Sequence, residues 1–119
     1  MKRILVLLIC LISVCGCSGN TDDKIVDYME AKEKIINEGA ILLDVRTEDE
    51  YNTKHIDGAL LLSLDNINED SITDIASDKN QVIIVYCKSG NRSNQALTLL
   101  EDLGYTEVYD LGAMSNWEE

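Results

Sequence analysis

The chain has 119 residues and a formal charge of −12, a length that suits one domain. Residues 1–16 read as a removable leader; the remaining 103 residues, enough for one modest core, carry 8 basic against 22 acidic side chains. Such a balance repels nucleic acid and anionic lipid headgroups and disfavours small anions at long range. An anion site here has to be local, built from backbone N–H groups and a few cations.

The chain opens with Lys2 and Arg3, an unbroken apolar run at 4–12 and small residues up to Cys17, the order of a secretory signal peptide. The stretch 4–17 is 14 residues, shorter than the about 20 of a spanning helix, so a permanent transmembrane anchor ranks second. Val14-Cys15-Gly16-Cys17 resembles a bacterial lipobox, with Cys15 where Ser or Ala is usual. That resemblance implies a diacylglyceryl group on Cys17 and a lipid-anchored chain on the extracytoplasmic face of a bacterial membrane. Secretion with a free Cys17 is the alternative. Two or more acyl chains anchor stably where one does not. Residues 18–24, SGNTDDK, form a polar tether with a reach of about 25 Å at most. Of the four cysteines, Cys10 and Cys15 fall in the leader and Cys17 is the attachment point, so Cys87 is left as a free and flagged thiol.

The folded domain begins at residue 25. Residues 25–28 predict a weak first strand. Residues 29–38 predict a helix, with Ala31, Ile35 and Ile36 at helical spacing and Gly39 ending it. The continuous apolar run 40–45 suits a buried parallel strand. Thr47 and Glu50 have capping-box spacing at the start of a short helix. Residues 59–62 predict a short strand and 66–77 one or two short helical pieces. Residues 81–86, QVIIVY, are the clearest strand, β-branched and ending at Cys87. Residues 91–103 predict a helix with Ala96, Leu97, Leu99, Leu100 and Leu103 on its apolar face, stopped by Gly104. A last strand is expected at 106–109 and a terminal turn at 114–117. Alternating strands and helices predict an α/β fold around a mostly parallel, five-stranded sheet flanked by helices.

The informative segment joins the clearest strand to the helix after it: Tyr86-Cys87-Lys88-Ser89-Gly90-Asn91-Arg92-Ser93. Ligands of parallel α/β sheets bind at the carboxyl ends of strands. A helix start there supplies free N–H groups and a positive dipole end. A turn containing Gly90 lets several N–H groups face one centre. Cys87 is expected beneath that centre, its thiolate stabilised by those donors, by Lys88 and by Arg92. Arg92 has the geometry to grip oxyanions. The competing reading is an ordinary buried cysteine, with Ser89 and Asn91 as turn formers or caps.

Over nearly the whole mature chain these residues resemble the rhodanese domains. Asp44-Val45-Arg46, Glu50-Tyr51 and His55-Ile56-Asp57-Gly58-Ala59 look like one signature of that family; residues 85–93 look like its active-site loop; Asp110-Leu111-Gly112-Ala113 with Trp117 looks like its closing region. Lys54 stands where Gly usually precedes the His, and Ala113 replaces a second Gly. The resemblance implies a rhodanese-like fold and a sulfurtransferase cycle without a cofactor. Cys87 takes sulfane sulfur from a small anion such as thiosulfate, the loop N–H groups hold the persulfide, and a thiophilic acceptor removes the outer sulfur. Lys88 and Arg92 orient the donor, with Ser89, Gly90 and Asn91 completing the loop. Arg46 either reaches the pocket or pairs with an acid. Glu50 and His55 are read as structural, Asp44 as holding the loop from below, and Trp117 as closing the core.

The loop has a C-x4-R spacing; related phosphatases use C-x5-R, with room for a phosphate above the thiolate. The shorter cradle suits a single sulfur. A non-catalytic binding module and a persulfide carrier serving one sulfur-accepting protein are the other readings. A monomer is expected.

Overall fold

The computed structural model describes residues 21–118. The leader, Cys17 and the first three residues of the tether lie outside them. Among the described residues no helix is long and apolar enough to cross a membrane.

Four strands form one parallel sheet: β1 (Ile41–Asp44), β2 (Leu60–Leu61), β3 (Ile83–Cys87) and β4 (Val108–Ala113), in the order β2-β1-β3-β4. Four α-helices connect or flank them: α1 (Tyr28–Glu38), α2 (Glu48–Thr53), α3 (Glu69–Ile75) and α4 (Asn91–Asp102). The chain goes from β1 to β2 on one side and then crosses over to β3 on the other. The order therefore reverses between β1 and β3, the place where parallel sheets form a crevice at their carboxyl ends.

The sheet has four strands rather than the expected five. Ile25 makes only a single parallel bridge to Asp110, and the Val26 N–H donates to the Asp110 carbonyl at 3.0 Å. The would-be strand ends there because Asp27 caps a helix. Its side chain accepts from the Glu30 N–H, and the Glu30 side chain accepts from the Asp27 N–H, which draws Tyr28 into α1. The last strand also differs from expectation, running over Val108–Ala113 instead of 106–109. Its register on β3 shifts between Val85, opposite Asp110, and Tyr86, opposite Gly112. Leu111 is thus an extra residue in the strand, and Gly112 absorbs the bulge at φ +85.

Strand β3 explains the shape of the core. All five of its residues are buried, and successive side chains face opposite sides. Ile83, Val85 and Cys87 pack with Ala96, Leu97 and Leu100 of α4 and Ile72 of α3. Ile84 and Tyr86 pack with Ala31 of α1, Ile56 and Leu111. Each fully buried aliphatic side chain is worth roughly 2 kcal/mol, so β3 anchors both layers. It also places Cys87 on the α4 side and Tyr86 on the other.

Candidate functional site

Cys87 is the last residue of β3, and α4 begins at Asn91. The three intervening residues fold back over the sulfur. Gly90 adopts φ +99, a left-handed conformation that costs a residue with a Cβ. In that conformation its N–H donates to Cys87 Sγ at 2.9 Å. Burial pushes the Cys87 thiol up; the Ser93 hydroxyl and the N–H groups of Ser93, Gly90 and Ser89 outweigh it and bring the thiol below its ordinary range. The sulfur itself has 0% exposure. It is covered, yet the amides point at it.

The segment sits on a braced base. Asp44, fully buried, accepts from the Arg46 N–H at 2.9 Å and from the Arg46 guanidinium at 2.6 to 3.1 Å. The Tyr86 hydroxyl donates to Asp44 at 2.7 Å and accepts from the Ile56 N–H at 3.1 Å. Burial, only partly relieved by the Ile56 N–H, raises the Tyr86 phenol well above its ordinary value, so it stays a neutral donor. The Asp44 hydrogen bond raises the Arg46 guanidinium against the opposing effect of burial. Asp44 thus ties the end of β1 to Tyr86, the residue before Cys87.

Arg46 pairs with Asp44 and donates to the Lys54 carbonyl at 2.6 Å. It also lines a cavity of about 820 Å³ together with Glu50, Ile56, Lys88, Met114 and Trp117; of residues 87–93 only Lys88 borders that cavity. Lys88 and Ser89 are exposed at the loop. Asn91, also exposed, accepts at Oδ1 from Gln95 Nε2 at 2.7 Å, so it braces the first turn of α4.

Arg92 is not a free anion grip. Its Nη1 and Nη2 donate to the two Glu50 carboxylate oxygens at 2.7 and 3.1 Å. That hydrogen bond raises the Arg92 guanidinium and, with the Thr47 N–H, brings the Glu50 carboxyl down to about 2. Glu50 therefore caps α2 and ties it to the loop. The capping-box spacing revealed the first role; nothing in the local sequence signalled the second. His55 stacks on Tyr51, with ring centroids 3.8 Å apart, and its Nδ1 contacts the Tyr51 carbonyl at 2.9 Å, a bracing position. Trp117 packs against the α1 side of the core and edge-on to Tyr28.

Both departures from the family pattern are free of backbone strain. Lys54 has φ −169 and Ala113 φ −72, values any L-residue adopts, and Gly112 keeps the one left-handed position of the closing turn. Sequence reasoning missed Ser93 and Asp110. Ser93 is fully buried in the first turn of α4, and Asp110 is 5% exposed on β4. Their signal was present: a serine and an aspartate at core positions of otherwise apolar faces.

Fold and site define a parallel α/β protein with a cysteine at the centre of an amide cradle. The model of the rhodanese-like domain matches residues 27–119, and the chain belongs to that family. It is 35% identical over 74 residues to thiosulfate sulfurtransferase PspE of Escherichia coli (strain K12), covering 62% of this chain and 70% of that one. It is 33% identical over 96 residues to thiosulfate sulfurtransferase GlpE of Coxiella burnetii, covering 80% and 87%. A solved rhodanese with anions from E. coli superimposes with a TM-score of 0.61 at 32% identity, over 65% of this chain and 89% of that one.

Proposed function

We propose that this protein moves sulfane sulfur from a small anionic donor such as thiosulfate to a thiophilic acceptor, through a persulfide on Cys87. The observation that carries the reading is the cradle: the Gly90 N–H sits on Sγ at 2.9 Å, and the Ser89 and Ser93 N–H groups help to bring the thiol below its ordinary range. Relatives named as thiosulfate sulfurtransferases support it.

The Cys87 thiolate attacks the outer sulfur of thiosulfate. A new S–S bond forms, the sulfur–sulfur bond of the donor breaks, and sulfite leaves with the electron pair. The negative charge then rests on the outer persulfide sulfur, where backbone donors stabilise it at no reorganisation cost. The acceptor attacks that sulfur, and Cys87 departs as a thiolate. Lys88, exposed at the cavity, orients the anion. Arg46 contributes charge from the cavity wall, and Arg92 contributes charge while Glu50 holds its guanidinium. Because Sγ has no exposed surface, donor entry displaces residues 88–90 slightly. The four residues between Cys87 and Arg92 in a C-x4-R turn leave little room for a tetrahedral phosphate, which ranks phosphatase chemistry low.

The test is incubation of wild type and Cys87→Ser with thiosulfate. Wild type is expected to gain the mass of one sulfur atom and to form thiocyanate on adding cyanide; the variant does neither while melting as a folded protein. A wild-type chain that gains no sulfur and forms no thiocyanate is a binding module. One that gains sulfur and passes it to a protein thiol but not to cyanide is a carrier.

A further inference from the structure

The sheet register puts an unneutralised acid behind the sulfur. Asp110 lies opposite Val85 on the neighbouring strand, and Cys87 is two residues further along β3. The two side chains share the face under α4 on adjacent parallel strands, two residues out of step, which sets them about 8 Å apart. The Ser93 hydroxyl, in the first turn of α4, donates to the Gly90 carbonyl at 3.1 Å, and it works to lower both the Cys87 thiol and the Asp110 carboxyl. Its one proton goes to the Gly90 carbonyl, so it neutralises neither acid.

Asp44 and Asp110 are the two buried carboxyls near the site, and they differ. Asp44 is neutralised by Arg46. Asp110 has the Gly112 N–H at 2.8 Å and the Ser93 and Asn94 side chains; among the described residues no cation pairs with it. Burial, which those donors do not fully offset, raises its carboxyl above the ordinary value. Nothing in the sulfur-transfer scheme above uses this group. The other charges facing Cys87 are Lys88 on the loop and Arg92 on α4, the latter already paired with Glu50 of α2. The Asp44–Arg46–Tyr86 group lies on the opposite face.

We propose that Asp110 is a positioning residue for Cys87: its carboxylate lies behind Sγ and drives negative charge outward toward the cavity. Two like charges in one low-dielectric region disfavour each other. With charge on Sγ the repulsion is greatest. With charge on the outer sulfur of a persulfide, one bond further from Asp110, it is smaller. The acid thus opposes the free thiolate, keeps its electron pair reactive and favours the sulfur-loaded state. The cradle and the acid work against each other at Sγ and together at the outer sulfur. The proposal rests on the persulfide reading, but its primary test does not need sulfur transfer.

The experiment is a titration of Cys87 in the full chain by ultraviolet thiolate absorbance, taken as the difference from the Cys87→Ser counterpart of each protein. Asp110→Asn keeps an acceptor for the Gly112 N–H and removes the charge. The Cys87 titration is expected to move to lower pH by about one and a half units, the size expected for two charges at this spacing in a medium of effective dielectric constant about 20. In the same variant, the fraction of Cys87 carrying sulfur at fixed thiosulfate and sulfite is expected to fall several-fold. Asp110→Ser repeats the test if the Asn variant does not fold. A Cys87 titration that is unchanged, or that moves to higher pH, overturns the proposal. Failure of sulfur transfer in wild type, with the titration shift intact, overturns the function and leaves the coupling standing.

Discussion

Glu50 serves three donors with one carboxylate. Oε1 accepts from the Thr47 N–H and hydroxyl at 3.0 Å each and from Arg92 Nη1 at 2.7 Å. Its carboxyl is held at about 2, below the ordinary carboxylate range. A depressed folded-state value means stability that is complete above the ordinary value of about 4.3 and lost as pH falls toward 2. The pair is about one-third exposed, with side-chain values of 32% and 29%, so solvent screens it and its worth is at most about 1 kcal/mol. Arg92→Ala should therefore cost about 0.5–1 kcal/mol in urea denaturation at neutral pH. It should also flatten the acid limb of the stability curve between about pH 4 and 2. In thiosulfate kinetics the same change should lower kcat/KM about tenfold, the equivalent of about 1.4 kcal/mol. Losses of equal size in both measurements would make Arg92 a structural tie alone.

At the scale of elements, the strand-to-helix segment from β3 to α4 determines the site. It was readable because its chemistry is local: a β-branched run, one cysteine, one glycine, two cations and a helix start within a dozen residues. The 40–45 run and the capping box at Thr47 were readable for the same reason. Sequence reasoning failed where two local signals compete. Residues 25–28 look extended by composition, but the Asp27 and Glu30 cap claims Tyr28 for the helix. The final strand continues past the expected end at residue 109 through Gly112, and a glycine is what a bulge requires. Contacts between distant segments, such as Glu50 with Arg92 or Asp110 with Ser93, leave no spacing to detect. Gly90 gives the element-scale prediction. Its φ of +99 is disfavoured for any residue with a Cβ, although nothing lies closer than 3.8 Å to a Cβ built there. Gly90→Ala should cost about 1–2 kcal/mol from conformation alone. By relaxing the turn it should also withdraw the N–H from Sγ. The thiolate titration of Cys87 should move to higher pH and thiosulfate turnover should fall; a variant with the expected stability loss but unaltered titration would remove the Gly90 N–H from the cradle.

At the scale of the molecule, the strand order brings the ends of β1 and β3 side by side, so the Asp44 brace and the Cys87 loop share one crevice. The lipid anchor proposed on Cys17 would hold that crevice within a short tether of the bilayer. Growth of a bacterial expression host with a labelled fatty acid should label the wild-type chain and not Cys17→Ser, and the variant should leave the membrane fraction. A chain that takes up no label yet is exported would be a secreted protein with a free Cys17.

The two borders of the sheet differ from its centre in one further respect. On one side β2 has only two residues, and on the other β4 is overlaid by the single bridge from Ile25 and the Val26 N–H. Among the described residues, the β2 flank is too short for a neighbouring copy to zip onto, and the β4 flank is interrupted at Asp110. Where many copies crowd together, fibrous stacking is opposed by brevity at one margin and by the Ile25–Val26 segment at the other.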